Sequence, residues 1–219
     1  MQIGIPTSED VTVEYKYEFR KKALHITNYV ERECLKAIRF YSEDFNRIGI
    51  NLNHENEEPY IFNDTLIIPV NFNKTSYDKQ VLEGKFQEYI IKILHSAFHK
   101  VAGLYNIPTN EMIESLNTLK DNRFVNKWLY KRKVDKNKKL KAELHCSLTI
   151  QNFQLTFIVN RGNEILFKDV VLTTDPDEIA FGQRFKDILI DDEKIIVTSS
   201  IFKNLLVYYL QNNRIKISR

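Results

Sequence analysis

Glycine and proline are scarce in this chain, 6 and 5 among 219 residues, so no flexible or proline-rich linker marks a domain boundary. The glycines, Gly4, Gly49, Gly84, Gly103, Gly162 and Gly182, are all isolated, which excludes a Walker A phosphate loop and a dinucleotide-binding fingerprint. Cysteine is limited to Cys34 and Cys146, each inside an apolar-patterned segment. They read as buried free thiols of a reducing compartment. There is no G-x-S-x-G elbow, and His145 and Cys146, though adjacent, leave a strand on opposite faces. No run approaches the roughly 18 apolar residues of a membrane span, and the opening MQIGIPTSEDV lacks the basic and apolar regions of a signal peptide. A cytoplasmic protein with no membrane partner is therefore expected. Charge of one sign is lacking as well: 32 basic and 29 acidic side chains leave a formal +3, too near balance to imply a polyanionic partner without local clustering.

What is present is apolar and aromatic residue. At 43% hydrophobic and 12% aromatic, a chain of this length buries roughly 70% of its unfolded surface and needs no disulfide, metal or cofactor to fold. The expected architecture is a single compact α+β domain over 1–219, helix-rich in 1–126 and strand-rich in 127–219. Abundant Lys, Asn and Ile suit an AT-rich coding genome, bacterial or phage.

Hydrophobic periodicity sets the order of elements. Val11, Val13, Tyr15, Tyr17 and Phe19 alternate with polar residues, the pattern of a strand with one wet face. From Asn28 the spacing of Val30, Cys34, Leu35, Ile38, Tyr41 and Phe45 predicts a helix to about Arg47, with Gly49 at its exit. His54–Pro59 reads as an exposed loop, and Leu66–Phe72 as a strand whose Pro69 demands an edge or a bulge. A long central helix is predicted over Tyr77–Tyr105, then a shorter one opened by Pro108, with Met112, Ile113, Leu116 and Leu119 inward. Alternation returns at Leu140–Ile150, Phe153–Val159 and Ile165–Thr173, an antiparallel meander with turns at Gln151-Asn152 and Arg161-Gly162. Ile188–Ile190 and Ile195–Val197 form a strand pair around Asp191-Asp192-Glu193. A C-terminal helix is predicted from Ser200 to Asn213.

Four constellations carry potential chemistry. His95 and His99, four apart on a helix, have metal-ligand spacing, but Ser96 stands where a metalloprotease needs its general base and Lys92 opposes a cation. A solvated helix face accounts for them better. Pro176-Asp177 with Asp192-Glu193-Lys194 formally resembles the spacing of the PD-(D/E)xK nucleases, in which two acids hold a divalent ion beside a lysine. The local signals for a turn and a helix cap are stronger, so a divergent metal-dependent nuclease stands as an alternative. Lys131, Arg132, Lys133, Lys136, Lys138, Lys139 and Lys141, beside Trp128 and Tyr130, have the mixture of a nucleic-acid surface. The same residues also suit a solvated connector.

The fourth constellation is acidic. Glu55, Glu57 and Glu58, then Asp175, Asp177 and Glu178, then Asp191, Asp192 and Glu193 fall in loops, where binding residues are displayed. They complement a basic partner. With no catalytic motif, the most economical expectation is a non-enzymatic intracellular protein-binding protein. Its most specific form is a bacterial immunity protein that neutralises a cognate toxin.

Overall fold

A computed structural model describes residues 1–4, 12–53, 58–201 and 203–218. The chain divides into two compact units, Met1–Asn126 and Lys127–Arg219. The fold class is α+β: five α-helices and three four-stranded sheets, mostly antiparallel, lie among the described residues. No described helix is long and apolar enough to cross a membrane.

The first unit opens with β1 (Gln2–Gly4) and α1 (Val13–Val30). The strand expected over residues 11–19 is thus a helix from Val13 on, while Val11 lies outside the described residues. A second periodicity wins: Phe19, Ala23, Ile26 and Val30 are buried at helical spacing, whereas Val13 and Tyr17 of the alternating set are exposed. Thr12 supplies the start, its hydroxyl accepting from the Tyr15 N–H at 3.2 Å. The helix continues as a π turn over Glu31–Leu35, and the chain leaves it through a left-handed Arg39. The helix expected to reach Arg47 therefore stops early.

Residues 47–53 instead form β2 (Arg47–Asn53), followed by β3 (Tyr60–Phe62) and β4 (Thr65–Asn71), in the sheet order β1-β2-β4-β3. Strands β1, β2 and β4 are parallel, and β3 returns antiparallel onto β4. Gly49 is no helix exit. It sits in β2, where an added Cβ would approach Ile67 Cδ1 to 3.2 Å. Pro69 lies in an interior strand, yet β3 begins opposite Ile67, so among the described residues no strand pairs with Pro69 on that flank of β4.

The long helix expected over 77–105 is two helices, α2 (Lys74–Leu82) and α3 (Phe86–Val101). Gly84, at φ 72°, breaks it. The N–H groups of Gly84 and Lys85 bond back to the carbonyls of Val81 at 3.1 Å and Gln80 at 2.8 Å, a Schellman closure. Helix α4 (Thr109–Asp121) ends in the same way, with Arg123 N–H to Lys120 at 2.9 Å and Phe124 N–H to Leu119 at 2.8 Å. Here the left-handed residues are Arg123 and Phe124, neither of them glycine, so the turn carries backbone strain that its surroundings must hold.

They hold it through buried polar bonds. His25, on α1, is 1% exposed. Its Nε2 lies 2.9 Å from the Phe124 carbonyl and its Nδ1 3.3 Å from Gln87 Nε2. A neutral imidazole satisfies both: Nε2–H donates to the carbonyl and Nδ1 accepts from Gln87. Asn126 Nδ2 donates to the His25 carbonyl at 2.7 Å, and Arg32 donates to Asn126 Oδ1 at 2.7 Å. Beside this lock, Phe19, Phe72, Tyr77 and Phe86 form an aromatic cluster with centroids 5.3 to 6.3 Å apart.

The second unit has a meander of β5 (Asn126–Asp135), β6 (Leu140–Leu148), β7 (Phe153–Arg161) and β8 (Glu164–Thr174). After the short α5 (Glu178–Phe181) come β9 (Ile188–Ile190), β10 (Lys194–Thr198), β11 (Asn204–Tyr209) and β12 (Arg214–Ile217), ordered β12-β11-β10-β9. The meander and the β9–β10 pair match the sequence pattern. The C-terminal helix does not: Leu206 and Tyr208 alternate inward against Val197 and Ile195. Left-handed Asn213 turns the chain into β12, and the Tyr208 hydroxyl donates to its side chain at 2.8 Å. Buried Phe153 stacks on Phe181 at 3.9 Å and on Phe185 at 5.7 Å, and Phe157 meets Tyr208 at 6.3 Å. Cys34 and Cys146 are buried and in no disulfide. Burial, with a smaller push from Glu111, raises the Cys34 thiol to about 11.

Two outcomes follow. Burial lowers the His25 pKa from 6.5 to about 4, so between those values the unfolded chain binds a proton that the folded one refuses, and stability falls as pH falls. Urea denaturation across this window should show a loss of order 3 kcal/mol assignable to this residue, and His25→Gln should flatten that slope. Phe153→Ala, which empties a stacked core position, should cost about 3–5 kcal/mol in the same measurement at neutral pH.

Candidate functional site

The second unit brings two of the sequence constellations together. Lys138, in the β5–β6 turn, lies 2.7 Å from Asp192 and 3.7 Å from Asp135, and it donates to the Asp191 carbonyl at 2.9 Å. The Asp191 carboxylate closes its own turn, accepting from the N–H groups of Glu193 at 2.9 Å and Lys194 at 2.7 Å. Those bonds outweigh its desolvation and hold it below the usual carboxylate range. Lys131 pairs with Asp187 at 3.3 Å. Arg132 and Lys141 pair with Glu143 at 2.6 and 3.3 Å. Four of the seven basic residues thus face carboxylates, whereas Lys133, Lys136 and Lys139 are exposed. Trp128 and Tyr130 direct their rings to Phe153, at 6.3 Å, and Phe185, at 4.8 Å. Local neutralisation weakens the case for a polyanion surface.

Glu143 escaped the sequence reading because it sits in the polar half of an alternating strand. Its side chain is 7% exposed, between Arg132, Lys141 and His145, whose Nε2 is 3.6 Å away. Burial raises its carboxyl, but the Arg132 and Lys141 bonds and charges prevail and hold it low. Only the pairing of β5 against β6 reveals this cluster.

The remaining acids are dispersed. Asp177 caps α5, accepting from the Ile179 N–H at 3.1 Å, and Asp175 and Glu178 are exposed beside it. The nuclease pattern gains no shared ion site: Asp192 is on Lys138, and Lys194 lies 3.8 Å from Asp191. The rings of His95 and His99 are 6.3 Å apart. Burial, then the His99 charge, lowers the His95 pKa against an opposing hydrogen bond with Asn117. Among the described residues no group of three or more His, Cys, Asp and Glu is placed to hold a metal ion.

Of the first acidic cluster, Glu55 and Glu57 lie outside the described residues, while Glu58 is exposed at the entry to β3. The periodicity assigns no element to this strand, which lies between the loop expected over His54–Pro59 and the strand expected from Leu66. Its three side chains, Tyr60, Ile61 and Phe62, are 43%, 41% and 62% exposed. They occupy the outermost strand of their sheet. Asn63 and Asp64, at φ 46° and 56°, make the two-residue left-handed turn that folds β3 onto β4. The Tyr105 hydroxyl donates to the Pro59 carbonyl at 3.1 Å and pins the entry. From Ile48 through Asn73 the sequence contains no Lys or Arg, and its carboxylates are Glu55, Glu57, Glu58 and Asp64. The signal available in the sequence was an apolar triplet between Pro59 and Asn63-Asp64.

No family model, curated protein or solved structure matches this chain.

The Lys138 contacts make an electrostatic prediction. Lys138→Glu sets a fourth negative charge among Asp135, Asp191 and Asp192, so the thermal midpoint should drop in low salt. In about 1 M salt, where the screening length is about 3 Å, most of that drop should vanish.

Proposed function

We propose that this chain is a non-enzymatic protein-binding protein of the cytoplasm, and that it takes a basic, extended segment of its partner at the β3 edge. In its most specific form the reading is an immunity protein of bacterial origin that neutralises a cognate toxin. One observation carries the binding reading: an outermost strand displaying three large apolar side chains, in a stretch with four carboxylates and no cation. An unpaired strand edge offers N–H and C=O groups to a second chain. An apolar centre with a polar rim is the anatomy of a protein interface, and the acidic rim favours and steers a basic partner.

Such an edge is ordinarily protected by lysine or proline within the strand. Here Pro59 precedes the strand and no lysine interrupts it. The acids at Asp191 and Asp192, by contrast, lie against Lys138, so the rim residues best disposed to a partner are Glu58 and Asp64, with Glu55 and Glu57 preceding them in sequence.

The test is co-expression with the product of the adjacent gene. The wild-type chain should restore growth and co-purify with that product, and Ile61→Lys and Phe62→Lys should each weaken the complex by about tenfold or more, roughly 1.4 kcal/mol, without changing the circular dichroism spectrum. Equal binding by these variants would remove the β3 edge from the interface. Failure of the wild type to rescue growth or co-purify would remove the toxin-neutralising reading.

A further inference from the structure

A cavity of about 770 Å³ opens in the first unit between the end of the π turn and the start of β2. That size lies within the range of small-molecule sites, about 300–1,000 Å³. Its cations are the Met1 α-ammonium, Lys36, Arg39 and Arg47, and its one lining carboxylate is Glu31, which the ammonium meets at 3.0 Å. Lys36 pairs with Glu31 at 2.9 Å. The guanidinium groups of Arg39 and Arg47 have no carboxylate within ion-pair distance among the described residues. The cavity therefore presents two uncommitted guanidinium forks, each able to take a phosphate or carboxylate through paired N–H bonds.

The rest of the lining is unlike a bare anion patch. Phe40, Tyr41 and Phe45 contribute aromatic side chains, with Phe45 buried and Tyr41 78% exposed. Gly49 lies in the same lining, and the absence of a Cβ there keeps open a position whose next neighbours are Ile67 and Thr65. Arg39 is itself left-handed, at φ 53°, in the turn that follows the π turn, a local irregularity frequent at functional sites. The space far exceeds one inorganic phosphate and adds a flat, polarisable wall to the two cations.

We infer that this cavity binds a nucleoside phosphate, its phosphate held by Arg39 and Arg47 and its base against the Phe40 and Tyr41 rings. Both arginines are exposed, so their removal leaves the core intact. Base stacking on an aromatic side chain contributes about 1–3 kcal/mol and tolerates different bases, so the phosphate supplies the class and the ring adds affinity. The inference stands apart from the β3 edge, because it involves different residues and a different ligand class.

Isothermal titration calorimetry on the full chain at low salt, with adenosine monophosphate, adenosine triphosphate, adenosine and inorganic phosphate as probes, tests it. The two nucleotides should bind, and adenosine and phosphate should each bind about tenfold or more weakly than the monophosphate. The double variant Arg39→Ala/Arg47→Ala should lose about tenfold or more in nucleotide affinity, with an unchanged thermal midpoint. Arg39→Lys/Arg47→Lys should fall between, retaining charge without the forks. Tyr41→Ala should weaken the monophosphate and leave inorganic phosphate unaffected. No heat from either nucleotide at about 1 mM overturns the inference, as does equal affinity in the alanine double variant. Phosphate binding as tightly as the monophosphate overturns the part assigned to the rings.

Discussion

Satisfying buried polar groups in one small region governs the first unit. His25, Gln87, Arg32, Asn126 and the Phe124 carbonyl are joined by side-chain hydrogen bonds, and each would be costly to leave unpaired away from water. The network fastens α1 to α3 and to the strained exit of α4, where two successive non-glycine residues hold left-handed backbone. Other arrangements of these helices would break several bonds at once, so the lock selects one packing from those a purely apolar core permits. The aromatic cluster around Phe19 supplies burial, while the polar bonds supply direction.

The second unit solves a different problem. Two charge runs remote in sequence, one basic in the β5–β6 region and one acidic in the β9–β10 turn, meet at Lys138, which lies between Asp135 and Asp192. Each run alone resembles a recognition surface. Together they screen one another, and exposed pairs of this kind contribute little to stability. Their consequence is negative: four of the seven basic side chains conspicuous in the sequence already face carboxylates.

What is left open to solvent is less conspicuous. The β3 edge is a triplet of apolar residues with acids around it, and the first-unit cavity is defined by two arginines that lack carboxylates. Among the described residues both features rest on groups without an intramolecular counterpart, which distinguishes them from Glu143, whose charge is answered by Arg132 and Lys141. The proposed protein capture at the edge and the proposed nucleotide binding in the cavity draw on separate residues.

Period-2 alternation is unambiguous where one face is buried and no helical spacing competes. The β6, β7 and β8 strands and the β9–β10 pair were legible in sequence for that reason, as were α4 and the burial of both cysteines. At Val13–Phe19 and Ser200–Asn213 two periods overlapped. Phe19-Ala23-Ile26-Val30 won in the first case and the Leu206–Tyr208 alternation in the second, because each had a partner surface elsewhere in the fold. The Gly84 break was visible as a residue but not as a left-handed turn. Sequence by itself determined the α+β class and the inward face of most elements, since apolar spacing is a local property of the chain. Which charges are cancelled, which edge is exposed and which arginines face a cavity were decided by tertiary structure, because each depends on what a distant segment places within a few ångströms.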